Sequence, residues 1–159
     1  MFFVILAAVL ALTDLVIKYG IENLPDDSFP RDVPGLKGKA DLRKVHNAGF
    51  PFGFLERFPK LVRMIPLVVT SAILGVFAWL LPKKGNTAEK CGLSFALAGA
   101  VSNLFDRFFR GYVVDYIHIR KKPFDRAVFN LADCLILLGS LIFAAVSAVR
   151  EIGNFLKRV

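Results

Sequence analysis

Residues 64–82 read MIPLVVTSAILGVFAWLLP, nineteen positions without a charge. At 1.5 Å of rise per residue, a helix of that length covers most of a ~30 Å hydrocarbon core. No polar stripe recurs at helical spacing, so it is not the amphipathic helix of a soluble bundle. Three more apolar stretches lie around it. Residues 2–12 are unbroken, and Asp14 and Lys18 interrupt the continuation through Leu15, Val16 and Ile17. Residues 91–105 hold fifteen uncharged positions and reach the interfaces only with flanking residues such as Lys90 and Asp106. Residues 127–149 are 23 positions whose sole charge is Asp133. Hydrocarbon offers a backbone no hydrogen-bond partners, so four such stretches are most economically helices. The expected fold is an all-α membrane protein, a four-transmembrane-helix bundle with spans near 1–19, 64–82, 88–106 and 127–149. A small extracytoplasmic loop region leaves room for some β structure, and residues 1–159 read as one membrane-embedded domain.

Composition agrees. The 159 residues fit one domain of ~100–200. They are 55% hydrophobic and only 21% charged, below the roughly 25% of soluble proteins, which excludes a disordered chain. Mean hydropathy is +0.55. No basic residue precedes the first apolar run and no small-x-small site closes it, so it reads as a span rather than a cleaved leader. The net charge of +8 fits nucleic acid, an anionic membrane surface or topogenic charge, and position decides among them. Four spans put both termini on one side and loops 20–63 and 106–127 on the other. Those two loops carry fourteen Lys and Arg against six on the terminal side, so the positive-inside rule alone would make them cytoplasmic. Both loops are rich in Gly, Pro and aromatic residues and look folded. In 111–119, Tyr-Val-Val-Asp-Tyr-Ile-His-Ile follows a Gly and reads as a short strand or extended segment. Phe50, Phe52, Phe54 and Phe58, around Pro51, Gly53 and Pro59, fit the headgroup level as belt anchors or substrate contacts.

Ionisable side chains in or beside a span cost roughly 2.5–3.5 kcal/mol near its centre, so each needs a partner or a task. Asp14 and Lys18 stand i, i+4 with the acid first, the favourable order for a helical pair. That pair either ties helices together or touches catalytic groups. Asp106 and Arg107 resemble a salt-bridge knot. Asp115 and Asp133 have no Lys or Arg within four positions and sit among apolar neighbours. The segment between the third and fourth spans can fold Asp115 back toward Asp133 at one membrane face. Two carboxylates in one site cannot both ionise cheaply, so the pair holds an acid and a base together. Such a dyad can activate water against a peptide carbonyl without a covalent intermediate.

Other chemistries lack their residues. The only histidines are His46 and His118, and no H-E-x-x-H, G-x-S-x-G or Walker loop occurs. Cys91 and Cys134 open different spans at opposite faces, roughly 24 Å apart, so they should not bond. Two rival readings remain: a small proton- or ion-coupled membrane carrier using acids such as Asp14 and Asp133, and a scaffold whose basic loops bind anionic lipid. The carrier would need paired broken helices in repeated halves, and no repeat is visible.

Four boxes in order resemble the bacterial lipoprotein signal peptidase (signal peptidase II) family of aspartic peptidases, and the match spans nearly the whole chain. They are Asp14 with Lys18; Asn47, Gly49, Phe52 and Gly53 in an Asn-x-Gly-x-x-Phe-Gly pattern; Ser102-Asn103-Leu104-Phe105-Asp106-Arg107 followed by Gly111-Tyr112-Val113-Val114-Asp115; and Phe129-Asn130-Leu131-Ala132-Asp133. The resemblance implies that Asp115 and Asp133 are the catalytic dyad. Asp14, Lys18, Asn47, Gly49, Asn103, Asp106, Arg107, Asn130 and Ala132 would line or brace the site. It implies cleavage of prolipoproteins before a diacylglyceryl-modified cysteine, with no metal or organic cofactor. Its implied partners are the lipid-modified precursor and membrane phospholipid, with no nucleic acid, and the protein would be a monomer. It implies a multi-pass protein of the bacterial cytoplasmic membrane with cytoplasmic termini and the site near the outer face, against the cation count. Two departures are Phe50-Pro51, where the family has small residues, and Ser102, where it has glycine. The first bears on substrate or inhibitor fit.

Overall fold

The computed structural model describes residues 1–36, 38–49 and 57–157. Residues 50–56, which hold the Phe50-Pro51 departure and most of the aromatic segment, lie outside the described residues. Four long helices carry the apolar stretches: α1 (Phe2–Asn23), α2 (Pro59–Leu80), α3 (Thr87–Phe109) and α4 (Leu131–Leu156). By length and composition α1, α2 and α4 qualify to cross a membrane. Large apolar side chains face outward on all three, including Leu12, Val68 and Leu137, each 60% exposed or more. Helices whose solvent is hydrocarbon show this pattern.

The third helix is different. Of its 23 residues, thirteen are buried, among them Ser94, Ala96, Gly99, Ser102, Asn103 and Asp106. All three other helices pack on it. Four long helices therefore form as expected, but only three are apolar spans in their own right, because α3 turns its faces to protein. Small residues let α3 and α4 touch backbone to backbone. A Cβ at Gly99 would overlap the carbonyl of Ala132, one at Gly139 would overlap the backbone of Ala96 and Gly92, and one at Gly92 would sit 2.8 Å from the Gly139 oxygen. Such close fits hold helices together where lipid removes the hydrophobic drive. Larger side chains fill the α2–α3 contact, with Phe77, Leu80, Leu93 and Leu97 buried together.

The chain is not purely helical. An antiparallel sheet closes one end of the bundle, built from β1 (Arg31–Asp32), β2 (Ala40–Asn47), β3 (Val113–Ile119) and β4 (Val128–Phe129) in that order. The β-branched and aromatic run forms β3. Its partner β2, which reads Ala-Asp-Leu-Arg-Lys-Val-His-Asn, lacks that signal and is specified by pairing, such as His46 opposite Val114. A register shift between Leu42 and Val45 brings Val45 opposite Asp115. Strand β3 uses the two-residue period of the pleat. Val114 and Tyr116 pack with Ile21 at the end of α1, while Val113, Asp115, Ile117 and Ile119 line a cavity. Since β1 and β2 come from the first large loop and β3 from the second, both loops lie at the same end of the bundle. Strand β4 takes the opening residues of the stretch expected as the fourth span, whose helix begins only at Leu131 because Asn130 caps it.

Candidate active site

Asp14 lies one turn before Lys18 on α1, and both are fully buried. One oxygen of Asp14 accepts from Tyr116 Oη at 3.1 Å and from the Ala132 amide at 3.3 Å. The other accepts from Ser102 Oγ at 2.5 Å and pairs with Lys18 Nζ at 2.8 Å. The departure at position 102 thus places a hydroxyl on the buried acid. Lys18 also pairs with Asp106 Oδ2 at 3.1 Å. Asp106 in turn meets Arg110 at 3.2 Å and accepts from the Val114 amide at 3.3 Å. The knot at Asp106 therefore draws on Lys18 and Arg110, partners that adjacency to Arg107 does not reveal. In this way α1, α3, α4 and β3 are fastened at one point, at the sheet end.

From there a chain of directed hydrogen bonds leads outward. Lys18 donates to Asn103 Oδ1 at 2.7 Å. That oxygen also accepts from Asn130 Nδ2 at 3.2 Å, so the Asn103 amide nitrogen is turned to Asp133 Oδ1 at 2.9 Å. Asn130 caps α4. Its side-chain oxygen accepts from the Asp133 amide at 2.8 Å, and its own amide donates to Asp133 Oδ2 at 3.1 Å, a reciprocal capping box. The same side chain donates to Asp115 Oδ1 at 2.7 Å. Asp115 Oδ2 accepts from Asn47 Nδ2 at 3.0 Å, and Asn47 Oδ1 accepts from the Gly49 amide at 3.0 Å. Arg107 donates to the carbonyls of Asn103 at 3.2 Å and Gly49 at 3.5 Å.

Asp115 and Asp133, eighteen positions apart and on different elements, are thus each one hydrogen bond from Asn130. They line one cavity of about 620 Å³, with Asn47, Asn103 and Arg107 at its polar end and Ile117, Phe129, Ile136 and Leu137 along its apolar wall. Burial pushes the Asp115 carboxyl up, the Asn47 amide pulls it down, and the Asp133 charge pushes it up again, to about 6. Among the described residues, each of those expected to act in or brace the site lies in this network or on its edge, Ala132 through its amide on Asp14 and Gly49 through Asn47 and Arg107. Among the described residues no three His, Cys, Asp or Glu converge as a metal site.

Three contributors escaped the motifs. Tyr116 holds Asp14 and also accepts from the Leu131 amide at 3.1 Å; strand alternation from Asp115 puts it on the opposite face. Arg110 stands four residues after Asp106, a helical spacing that could have found it. Asp41 of β2 is a further fully buried carboxylate. Burial raises its carboxyl, but bonds from His118 at 3.0 Å, Arg43 at 2.8 Å and Arg120 at 2.5 Å outweigh this and hold it well below the usual range. No linear pattern joins those four residues.

Relatives carry the same arrangement of sequence. Residues 6–149 match the family described as signal peptidase (SPase) II. A lipoprotein signal peptidase of Rickettsia conorii is 38% identical over 109 residues, 67% of this chain and 54% of that protein. One of Allorhizobium ampelinum is 37% identical over 134 residues, 82% of this chain and 78% of that protein. The chain spans about half the length of the Rickettsia relatives it matches. A solved bacterial membrane enzyme shares the fold, with a TM-score of 0.75 at 24% identity over 96% of this chain and 90% of that one. With the matched region containing both cavity carboxylates and the asparagine between them, the chain belongs to the signal peptidase II family.

Proposed function

We propose that the protein is an intramembrane aspartic endopeptidase that removes the signal peptide from diacylglyceryl-modified prolipoproteins, cutting before the lipidated cysteine, with Asp115 and Asp133 as its dyad. The observation that carries this reading is Asn130, which donates to both carboxylates at the polar end of one apolar-walled cavity. Asp115, with its raised affinity for a proton, is the acid. Asp133, at the first turn of α4 with a backbone and a side-chain donor on its carboxylate, is the base. A water between them gives its proton to Asp133 while its oxygen bonds to the scissile carbonyl carbon and Asp115 protonates the carbonyl oxygen. Collapse of the tetrahedral adduct breaks the C–N bond. The cysteine amine leaves with the proton held by Asp133, and Asp115 recovers its own from the adduct.

Asn47, Asn103 and Asn130 set the orientation of the two acids. Lys18, Asp14, Asp106, Ala132, Gly49 and Arg107 act behind them as positioning residues. The cavity's apolar wall suits the lipid of the substrate, and the chemistry calls for no cofactor. Four spans, cytoplasmic termini and a site near the outer face of the bacterial cytoplasmic membrane complete the proposal, with the protein acting as a monomer. Asp14, which motivates an ion carrier, is enclosed by Lys18, Ser102, Tyr116 and the Ala132 amide, an arrangement that suits bracing.

The test is an assay on matched precursors with and without the diacylglyceryl group. Asp115→Asn and Asp133→Asn should each abolish cleavage of the lipidated precursor, and the unlipidated one should be spared by the unaltered protein. Cleavage surviving in either variant overturns the dyad.

A further inference from the structure

The loop between β3 and β4 is not used by the chemistry above. Residues 120–126 read Arg-Lys-Lys-Pro-Phe-Asp-Arg and are exposed throughout. Most other cations near the sheet are tied down: Arg43 to Asp41, Lys44 to Asp26, Arg110 to Asp106, and Arg120 to Asp32 and Asp41. Among the described residues, Lys121, Lys122 and Arg126 have no ion pair. Asp125 is the loop's only acid, which leaves these four side chains with an excess of two positive charges. Between the cations stands Phe124, 50% exposed. The loop is held firmly in place, since His118 Nε2 donates to the Asp125 carbonyl at 3.0 Å and Phe124 packs edge-on to Phe129 at 6.2 Å.

Its position gives the cluster meaning. Phe124 lines the catalytic cavity, which continues along α4 from Asp133 to Ser140, about 10 Å of helix. Leu137 on that stretch is 63% exposed, so the cavity opens along a flank of α4 that faces acyl chains. A rim with an exposed aromatic ring among unpaired cations, at the sheet end of such a flank, matches the headgroup level of a bilayer. It also offers a reason for cations outside the cytoplasm, where the topogenic rule does not want them.

We propose that residues 120–126 form a docking loop for anionic phospholipid, with Lys121, Lys122 and Arg126 on the headgroup phosphates and Phe124 among the acyl chains at the cavity mouth. The loop gathers anionic lipid around the opening through which a lipidated substrate enters. The lipid docking rests on the membrane-embedded reading alone, whereas its place at a substrate's entrance rests on the proposed function.

The test uses the full chain in lipid nanodiscs without substrate, so its failure is separable from that of the peptidase reading. Trp79→Phe with Phe124→Trp puts the single tryptophan in the loop. Nanodiscs of phosphatidylcholine with roughly 30% phosphatidylglycerol are prepared with bromine on the acyl chains of one lipid or the other. Brominated phosphatidylglycerol should quench the loop tryptophan more, mole for mole, because each cation favours anionic lipid roughly fivefold. Adding Lys121→Glu, Lys122→Glu and Arg126→Glu should abolish the preference, and about 1 M salt should weaken it. Equal quenching by both lipids, a preference unchanged in the triple variant, or no quenching at all would each overturn the proposal. If the lipids quench equally and the triple variant raises KM only for precursors with acidic residues near the cut, the loop reads peptide instead, and the lipid proposal also fails.

Discussion

At Asp115 the fold opposes its own charge. The carboxyl, ordinarily at 3.8, is moved to about 6, with burial the largest cause. A group whose pKa folding raises contributes stability that is fully present below the unfolded value and is lost as pH rises through the folded one. The unaltered protein in detergent should therefore lose on the order of 2–3 kcal/mol relative to Asp115→Asn between about pH 4 and pH 8. Parallel stability profiles for the two proteins would contradict this. Lys18 makes a different kind of prediction, because it acts on Asp133 through an amide. With the ammonium gone, Asn103 is free to turn its oxygen toward Asp133 and withdraw a donor. Lys18→Met should destabilise by about 3–5 kcal/mol, since it leaves the buried Asp14 without its cation while Asp106 keeps only Arg110. It should also lower kcat about 10- to 100-fold and move the acid limb of the pH–rate profile upward. Arg107, Asp14 and Asp115 act on Asp133 as well, so the profile is compared in an Asn103→Leu background. There Lys18→Met should move the limb no further, and an equal shift in both backgrounds would mean direct charge action.

The contact between α3 and α4 shows how an element sets a site it does not enter. Gly99 abuts the carbonyl of Ala132, the residue before Asp133, whereas Gly139 meets Ala96 and Gly92 about two turns deeper. Alanine at either position forces the helices apart and should cost about 1–3 kcal/mol. Only Gly99→Ala displaces the first turn of α4, so it should lower kcat severalfold more than Gly139→Ala at matched stability. Equal losses would show that the contact acts through stability alone. Asn130→Ala removes the cap of α4, worth about 1 kcal/mol, yet it also strips a donor from Asp115. Activity should fall about 100-fold, far more than the change in thermal unfolding would suggest. Strand β3 was legible because β-branched and aromatic residues crowd seven positions. Strands β1 and β4 are two residues each and too short for any pattern to register.

For the molecule as a whole, the sheet gathers both large loops at one end and leaves the α2–α3 link at the other. If the site faces outward, a reporter fused after Val159 reads cytoplasmic and a cysteine introduced at Lys122 reacts with a membrane-impermeant thiol reagent from outside. The reverse labelling would invert the topology. Composition and run length alone determined that this chain has long apolar helices, because hydrocarbon leaves a backbone no other partner. Isolated acids among apolar neighbours, together with the order of the motifs, singled out Asp115 and Asp133. What the tertiary structure decided is how the acids are held: α3 as the protein-facing centre, Asn130 as the shared donor, Lys18 as the orienter of Asn103, and Asp41 fastened by Arg43, His118 and Arg120. Most of those relations join residues far apart in the chain through directed hydrogen bonds, and a one-dimensional spacing carries no record of which donor an oxygen meets once four elements converge.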